Sequence, residues 1–198
     1  MENIKNIKDL SSAIREICDR HTVNLIKLHK EYWKDIDPED TEQIISISAK
    51  LIPLLTEEIL DCLEEIVSLT LKILKKLYNI KNKNVLELED LMYKEDGKTL
   101  VDRLVSYYIE HKGQRATYNL IRLINTESRY VFSGVMEDKI DPELYPYFRV
   151  DNIDEDDCGC PTPGTIFPMS AQKPPYHPDC ECMWEPLTQE EYEKIILN

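Results

Sequence analysis

Proline and cysteine are distributed so unevenly along this chain that they divide it in two. Nine of the eleven prolines (Pro142, Pro146, Pro161, Pro163, Pro168, Pro174, Pro175, Pro178 and Pro186) lie beyond position 141, and four of the six cysteines fall between 158 and 182. Proline lacks an N–H donor, fixes its own φ and turns the preceding residue away from helical geometry. The last quarter of the chain therefore cannot be a run of long helices. The first 140 residues carry the opposite signal, and the predicted organisation is a helical region over 1–140 and a Pro/Cys-rich module over 141–198.

In the helical region the apolar residues recur at a helical period. Ile4, Ile7, Leu10, Ile14, Ile17, Val23, Leu25, Leu28 and Tyr32 mark a first amphipathic helix, which should stop near Asp37-Pro38. Asp40 with Gln43 resembles a capping box that opens a second helix. Pro53 is expected to kink or divide that helix. Its acids Glu57, Glu58, Asp61, Glu64 and Glu65 precede Lys72, Lys75 and Lys76, an order that suits the helix dipole. The apolar face around Leu55, Leu63, Ile66 and Leu74 is broad. It reads as bundle core, with a surplus expected to drive self-association or docking onto a partner. A short helix or turn over 86–92 and two helical segments over 99–112 and 115–139, broken at Gly113, complete the region.

Beyond Asp141 the period is lost. Tyr147-Phe148-Arg149-Val150 has strand-forming residues, and Thr188-Gln189-Glu190-Glu191 is a capping box opening a short last helix. Between them Cys158-Gly159-Cys160 is followed, after sixteen intervening residues, by His177-Pro178-Asp179-Cys180-Glu181-Cys182. Two short pairs of soft or borderline ligands joined by a proline-stiffened loop supply what a tetrahedral zinc ion needs. Little apolar surface is available between 142 and 187, and small segments rarely fold without a staple. Five candidates, Cys158, Cys160, His177, Cys180 and Cys182, compete for four places. Cys158 and Cys160 form the first pair, His177 and Cys180 the second, with Cys182 as the alternative to Cys180. No open position or general base accompanies them, so the zinc is structural rather than catalytic. Trp184 is expected to close over the site as a hydrophobic lid. The fold class is thus mainly α: a long-helix N-terminal bundle, then a small, irregular, zinc-stapled module with short strands.

The formal charge is -14, from 38 acids against 24 bases. Such a surface repels a phosphate backbone and argues against direct nucleic-acid binding. None of the five glycines lies before Gly97, which excludes a phosphate-cradling glycine loop in the first half. No secretory signal is visible at the N-terminus, and no apolar run approaches the roughly 20 residues needed to cross a bilayer. The expectation is a soluble protein made in a reducing cytoplasm.

The residues from Tyr147-Phe148-Arg149-Val150 through Asp156-Asp157-Cys158-Gly159-Cys160 to Pro174-Pro175-Tyr176-His177-Pro178-Asp179-Cys180-Glu181-Cys182 resemble the C-terminal signature of phage minor head proteins. These form the head-morphogenesis family typified by protein F of Mu-like phages. Upstream, Leu123-Ile124-Asn125-Thr126-Glu127-Ser128-Arg129 is similar to that family's helical Thr-Glu motif. Two departures stand out: one residue separates the first cysteine pair where two are usual, and Glu181 stands where the family has arginine. The resemblance spans about 115–186. It implies a structural minor head (capsid) protein of a tailed phage or prophage, a virion component made with portal, capsid and scaffold proteins and placed in the head interior or at the portal vertex.

The alternative is a phage-encoded effector or enzyme, toxin-like or ADP-ribosyltransferase-like, delivered with the virion. Such a transferase needs a Ser-Thr-Ser-like strand and a Glu-x-Glu. Only Glu191-Tyr192-Glu193 matches, on a predicted capped helix, so no catalytic residue is assigned and an enzyme is not expected. Cys18 with His21 has a metal-like spacing but reads as a core cysteine beside a surface histidine. Glu127 reads as a residue that hydrogen-bonds a neighbouring loop and orders it.

Overall fold

The computed structural model describes residues 4–78, 80, 87–93, 97–151, 159–177, 180 and 182–197. Three long helices form the body. Helix α1 (Ile7–Trp33) is capped by Asn6, whose side chain accepts the Asp9 N–H at 2.8 Å. Helix α2 (Thr41–Tyr78) packs against α1 and α5 (Ala116–Lys139), which also touch each other. Asp40 caps α2 by accepting the Gln43 N–H at 2.9 Å. Gln43 reaches back to the Asp37 N–H rather than to Asp40, so the expected box is only half closed.

Pro53 neither ends nor divides α2, contrary to expectation. A proline inside a helix costs about 3 kcal/mol. On either side of it Leu51, Leu55 and Ile59 are completely buried, each contributing about 1.5–3 kcal/mol of apolar transfer. Core burial outweighs the lost hydrogen bond. The broad α2 face also behaves differently from the expectation of a surplus: Leu55, Leu63, Ile66 and Leu74 are all at 0% exposure within the single chain. Besides α1 and α5, α2 is covered by α4 (Leu100–Val105) and by the five-residue π-helical segment Ser106–Glu110 that continues α4. The shorter elements supply the cover that the sequence reading left out, and this face gives no reason for self-association.

The break between the π segment and α5 is set by Gly113, whose φ is +66°. A Cβ there would sit 2.3 Å from Trp33 Nε1, so the turn needs glycine both for its backbone and for the indole beside it. Trp33 meets the buried Tyr108 edge-on, with ring centroids 4.9 Å apart, which fixes the end of α1 against the π segment. The short helix α3 (Leu88–Leu91) rests on α5, where Gly134 leaves room for Leu91.

The strand expected at Tyr147 is present as β1 (Tyr147–Asp151), the centre of a three-stranded antiparallel sheet of order β2-β1-β3, with β2 at Ile166–Pro168 and β3 at Met183–Leu187. Pro186 lies on β3, an edge strand, where a missing N–H is tolerated. Phe148 and Val150 from β1 and Trp184 from β3 are fully buried in the same apolar cluster as the helices, while Arg149 pairs across the strands with Glu185. Helix α6 (Gln189–Ile196) closes the chain with the expected capping box between Thr188 and Glu191 and buries none of its residues.

Candidate metal centre

The sheet positions the cysteines. Gly159, with φ +75°, turns the chain into Cys160. On the other side Pro174 and Pro175 are buried and lead into Tyr176 and His177. The Cys180 N–H closes a turn onto the His177 carbonyl at 3.1 Å. Cys182 immediately precedes β3, whose pairing with β1 holds it in place.

These elements bring three thiols together: the sulfurs of Cys160, Cys180 and Cys182 lie within 4.8 Å of one another. Cys160 Sγ is 3.6 Å from Cys180 Sγ and 3.1 Å from His177 Nε2. Four ligands around one zinc, with Zn–S near 2.3 Å, would hold their sulfurs about 3.8 Å apart. The observed spacing fits that geometry without large movement. Cys180 and Cys182 are buried, and Cys160 and His177 are half-buried, as a closed structural site requires.

Electrostatics within the cluster suit a metal as well. Cys180 is drawn down to about 5, chiefly by a hydrogen bond from the Cys182 thiol, against the opposing effect of burial. Cys182 is pushed up by that same hydrogen bond and by burial. Thiolate ligation by a divalent cation would release the protons that these thiols carry. Tyr176 is pushed up to about 12 by burial and then by the three neighbouring thiols. Among the described residues its hydroxyl has no hydrogen-bond partner.

Of the five predicted ligands, Cys160, Cys180 and Cys182 gather in one cluster, His177 lies beside Cys160, and Cys158 lies outside the described residues. Cys180 and Cys182, expected as alternatives, both lie in the cluster. A spacing of two carries side chains to the same side of an extended chain, a signal that was present in the sequence. Trp184 is not a lid over the site. Its Nε1 donates to Ser133 Oγ of α5 at 3.0 Å and its ring meets Phe148 edge-on, with Lys173 over both rings. Strand alternation turns it into the helical core instead.

The other singled-out residues are structural. Glu127 is fully buried and accepts the Tyr93 N–H at 2.9 Å while pairing with the buried Arg103, which also donates to the Tyr93 carbonyl. It orders the loop after α3, as expected, and burial pushes its carboxyl up despite Arg103. His21 is not a surface residue: it is buried, with Nδ1 2.6 Å from Glu58 Oε1 and Nε2 3.4 Å from Glu65 Oε2. Glu191 of the Glu-x-Glu is spent on the cap, with Tyr192 stacked on Tyr147 at 3.9 Å.

Sequence reasoning did not anticipate Arg129. Buried on α5, it donates to Met183 Sδ at 3.0 Å and contacts Ser11 Oγ at 3.4 Å, linking α1 to the strand that follows the cysteines. No helix among the described residues is long and apolar enough to cross a membrane. No protein family, curated protein or solved structure matches the chain, so no comparison brings a catalytic activity to it.

Proposed function

We propose that this chain is a structural minor head protein of a tailed phage or prophage, acting in head morphogenesis near the portal, with a zinc-stapled C-terminal module. The observation that carries the reading is the gathering of Cys160, Cys180 and Cys182, with His177 beside Cys160, because these residues belong to the stretch on which the resemblance to minor head proteins rests. Three thiols and an imidazole are a donor set that zinc prefers. The ion would act as a cross-link, holding the 159–177 segment against β3, and would supply no reaction step.

The helical body supports an assembly role. It presents a rigid three-helix platform, and its acidic surface suits protein contacts better than contacts with DNA. An effector or transferase reading has less support, since Glu191 of the Glu191-Tyr192-Glu193 run serves as a helix cap. The test is co-production with the portal, scaffold and capsid proteins encoded beside it, followed by sedimentation of procapsids. The expected result is co-sedimentation with portal-containing shells and little with shells lacking portal. A chain that stays at the top of the gradient in both cases overturns the reading. Elemental analysis of the purified chain tests the staple separately, with one zinc per chain expected.

A further inference from the structure

Within the thiol cluster Cys160 Sγ is in contact with Cys180 Sγ, 3.6 Å away. Solvent reaches the two unequally: Cys160 is half-buried, whereas Cys180 is 2% exposed. We propose that Cys160 and Cys180 are a redox pair, which hydrogen peroxide joins in a disulfide that takes two ligands from the metal staple. The disulfide needs only the thiol geometry of the proposed staple, not its zinc or a place in a phage head.

Backbone pairing on both sides of β1 sets the contact. On one side the Val150 N–H donates to the Thr165 carbonyl at 2.9 Å and the Gly164 N–H to the Val150 carbonyl at 2.8 Å, which anchors the chain just after Cys160. On the other, β3 pairs with β1 from Met183 onward, and the Cys180 N–H closes onto the His177 carbonyl at 3.1 Å. Closing the sulfurs from 3.6 Å to the about 2.05 Å of a disulfide is then a side-chain movement within a framework already in place. Cys160 is the attacking sulfur because peroxide can reach it, and Cys180, shielded and in contact, is the resolving one.

The chemistry balances in two steps. The Cys160 sulfur attacks one peroxide oxygen, the O–O bond breaks, and the departing hydroxide takes the thiol proton to leave as water, giving a sulfenic acid on Cys160. The Cys180 sulfur then attacks the Cys160 sulfur, the S–O bond breaks, and the departing hydroxide takes the Cys180 proton. Two thiols and one peroxide become one disulfide and two waters. The new bond closes a loop of 20 positions that contains β2. It ties together the segments that a metal at these sulfurs would join, and restricts the unfolded chain.

The full chain, zinc-loaded or treated with chelator and kept below its Tm, is incubated with hydrogen peroxide. Its remaining thiols are alkylated in denaturant, and unreduced peptides are mapped by mass spectrometry. The expected product in the chelated sample is a Cys160–Cys180 linked peptide, lighter by two hydrogens and reversed by dithiothreitol, with Cys182 still alkylated. The zinc-loaded sample should form the same link only in step with zinc released to a chromogenic indicator. In Cys180→Ser, dimedone should trap a sulfenic acid on Cys160. The proposal is overturned if Cys160 and Cys180 stay separately alkylated while other thiols oxidise, or if Cys160 links to Cys158 or Cys182 instead. It is equally overturned if the link forms only in chain unfolded before the peroxide is added. Should elemental analysis find no zinc, the staple fails, and the same map still decides the redox pair. The wild-type map also decides on its own should the variant fail to fold.

Discussion

Removing the metal should destabilise the whole molecule rather than only the loop around it. Cys180 and Cys182 belong to the same buried cluster as Leu63, Ile124 and Trp184, and Met183 is held by Arg129 of α5, so disorder at the cysteines propagates into the helical core. A ligand that binds only the folded state stabilises it by about 4.1 kcal/mol when its free concentration is 1,000 times Kd. For a chain of this size each kcal/mol moves Tm by about 2–4 °C, giving a fall of about 8–16 °C on chelation. Differential scanning calorimetry of the zinc-loaded chain, with and without a strong chelator, measures this. The metal content of each sample should be determined in parallel. Cys182→Ser should reproduce the chelated Tm and respond no further to chelator. An unchanged Tm in a sample verified to be metal-free would refute the staple. A low-temperature transition in which only the 159–182 segment melted, leaving the main Tm in place, would refute the coupling to the helical core.

Glu127→Ala takes from Arg103 its buried carboxylate and from the Tyr93 N–H the acceptor at 2.9 Å, so it should cost about 3–5 kcal/mol in urea unfolding, more than removal of an exposed pair. Gly113→Ala places a methyl group into Trp33 at a positive φ and should destabilise by at least about 2 kcal/mol, with a change in Trp fluorescence as the indole shifts. The hydrogen bond from Arg20 holds the Glu65 carboxyl below its ordinary value of 4.5. A depressed carboxyl contributes stability that is present above the ordinary value and is lost as pH falls through the folded value, so Glu65→Gln should flatten the acid limb of the stability profile below about pH 4.5 and leave the shape of the profile at neutral pH unchanged.

What was legible in the sequence is what short-range chemistry dictates. Asp40 and Thr188 begin helices, as read, because a side-chain oxygen two or three residues before a free N–H can satisfy it, and Asn6 and Thr99 do the same unread. The cysteine cluster was legible for a similar reason: only ligand spacing and a stiff loop are needed to bring these thiols together. The unread features all depend on which elements meet. Nothing near Leu55 or Leu63 reveals that α4 and the π segment will cover their helix, and nothing near Pro53 reveals that its neighbours will be buried deeply enough to carry the helix on through it. His21 looked exposed until Glu58 and Glu65, thirty-seven and forty-four positions away, closed over it.

Arg129 shows where the two kinds of information join. Its position in a Thr-Glu-Ser-Arg run on a helix was visible, yet its partners Ser11 and Met183 are 118 and 54 residues distant. A guanidinium is costly to bury without acceptors, and two of the contacts that receive this one come from α1 and β3. Met183 in turn follows Cys182 directly. The same residue therefore couples the helical body to the strand that follows the cysteines, so docking of one bears on placement of the other. A helix bundle and a metal module that were merely tethered would have no need of such a residue.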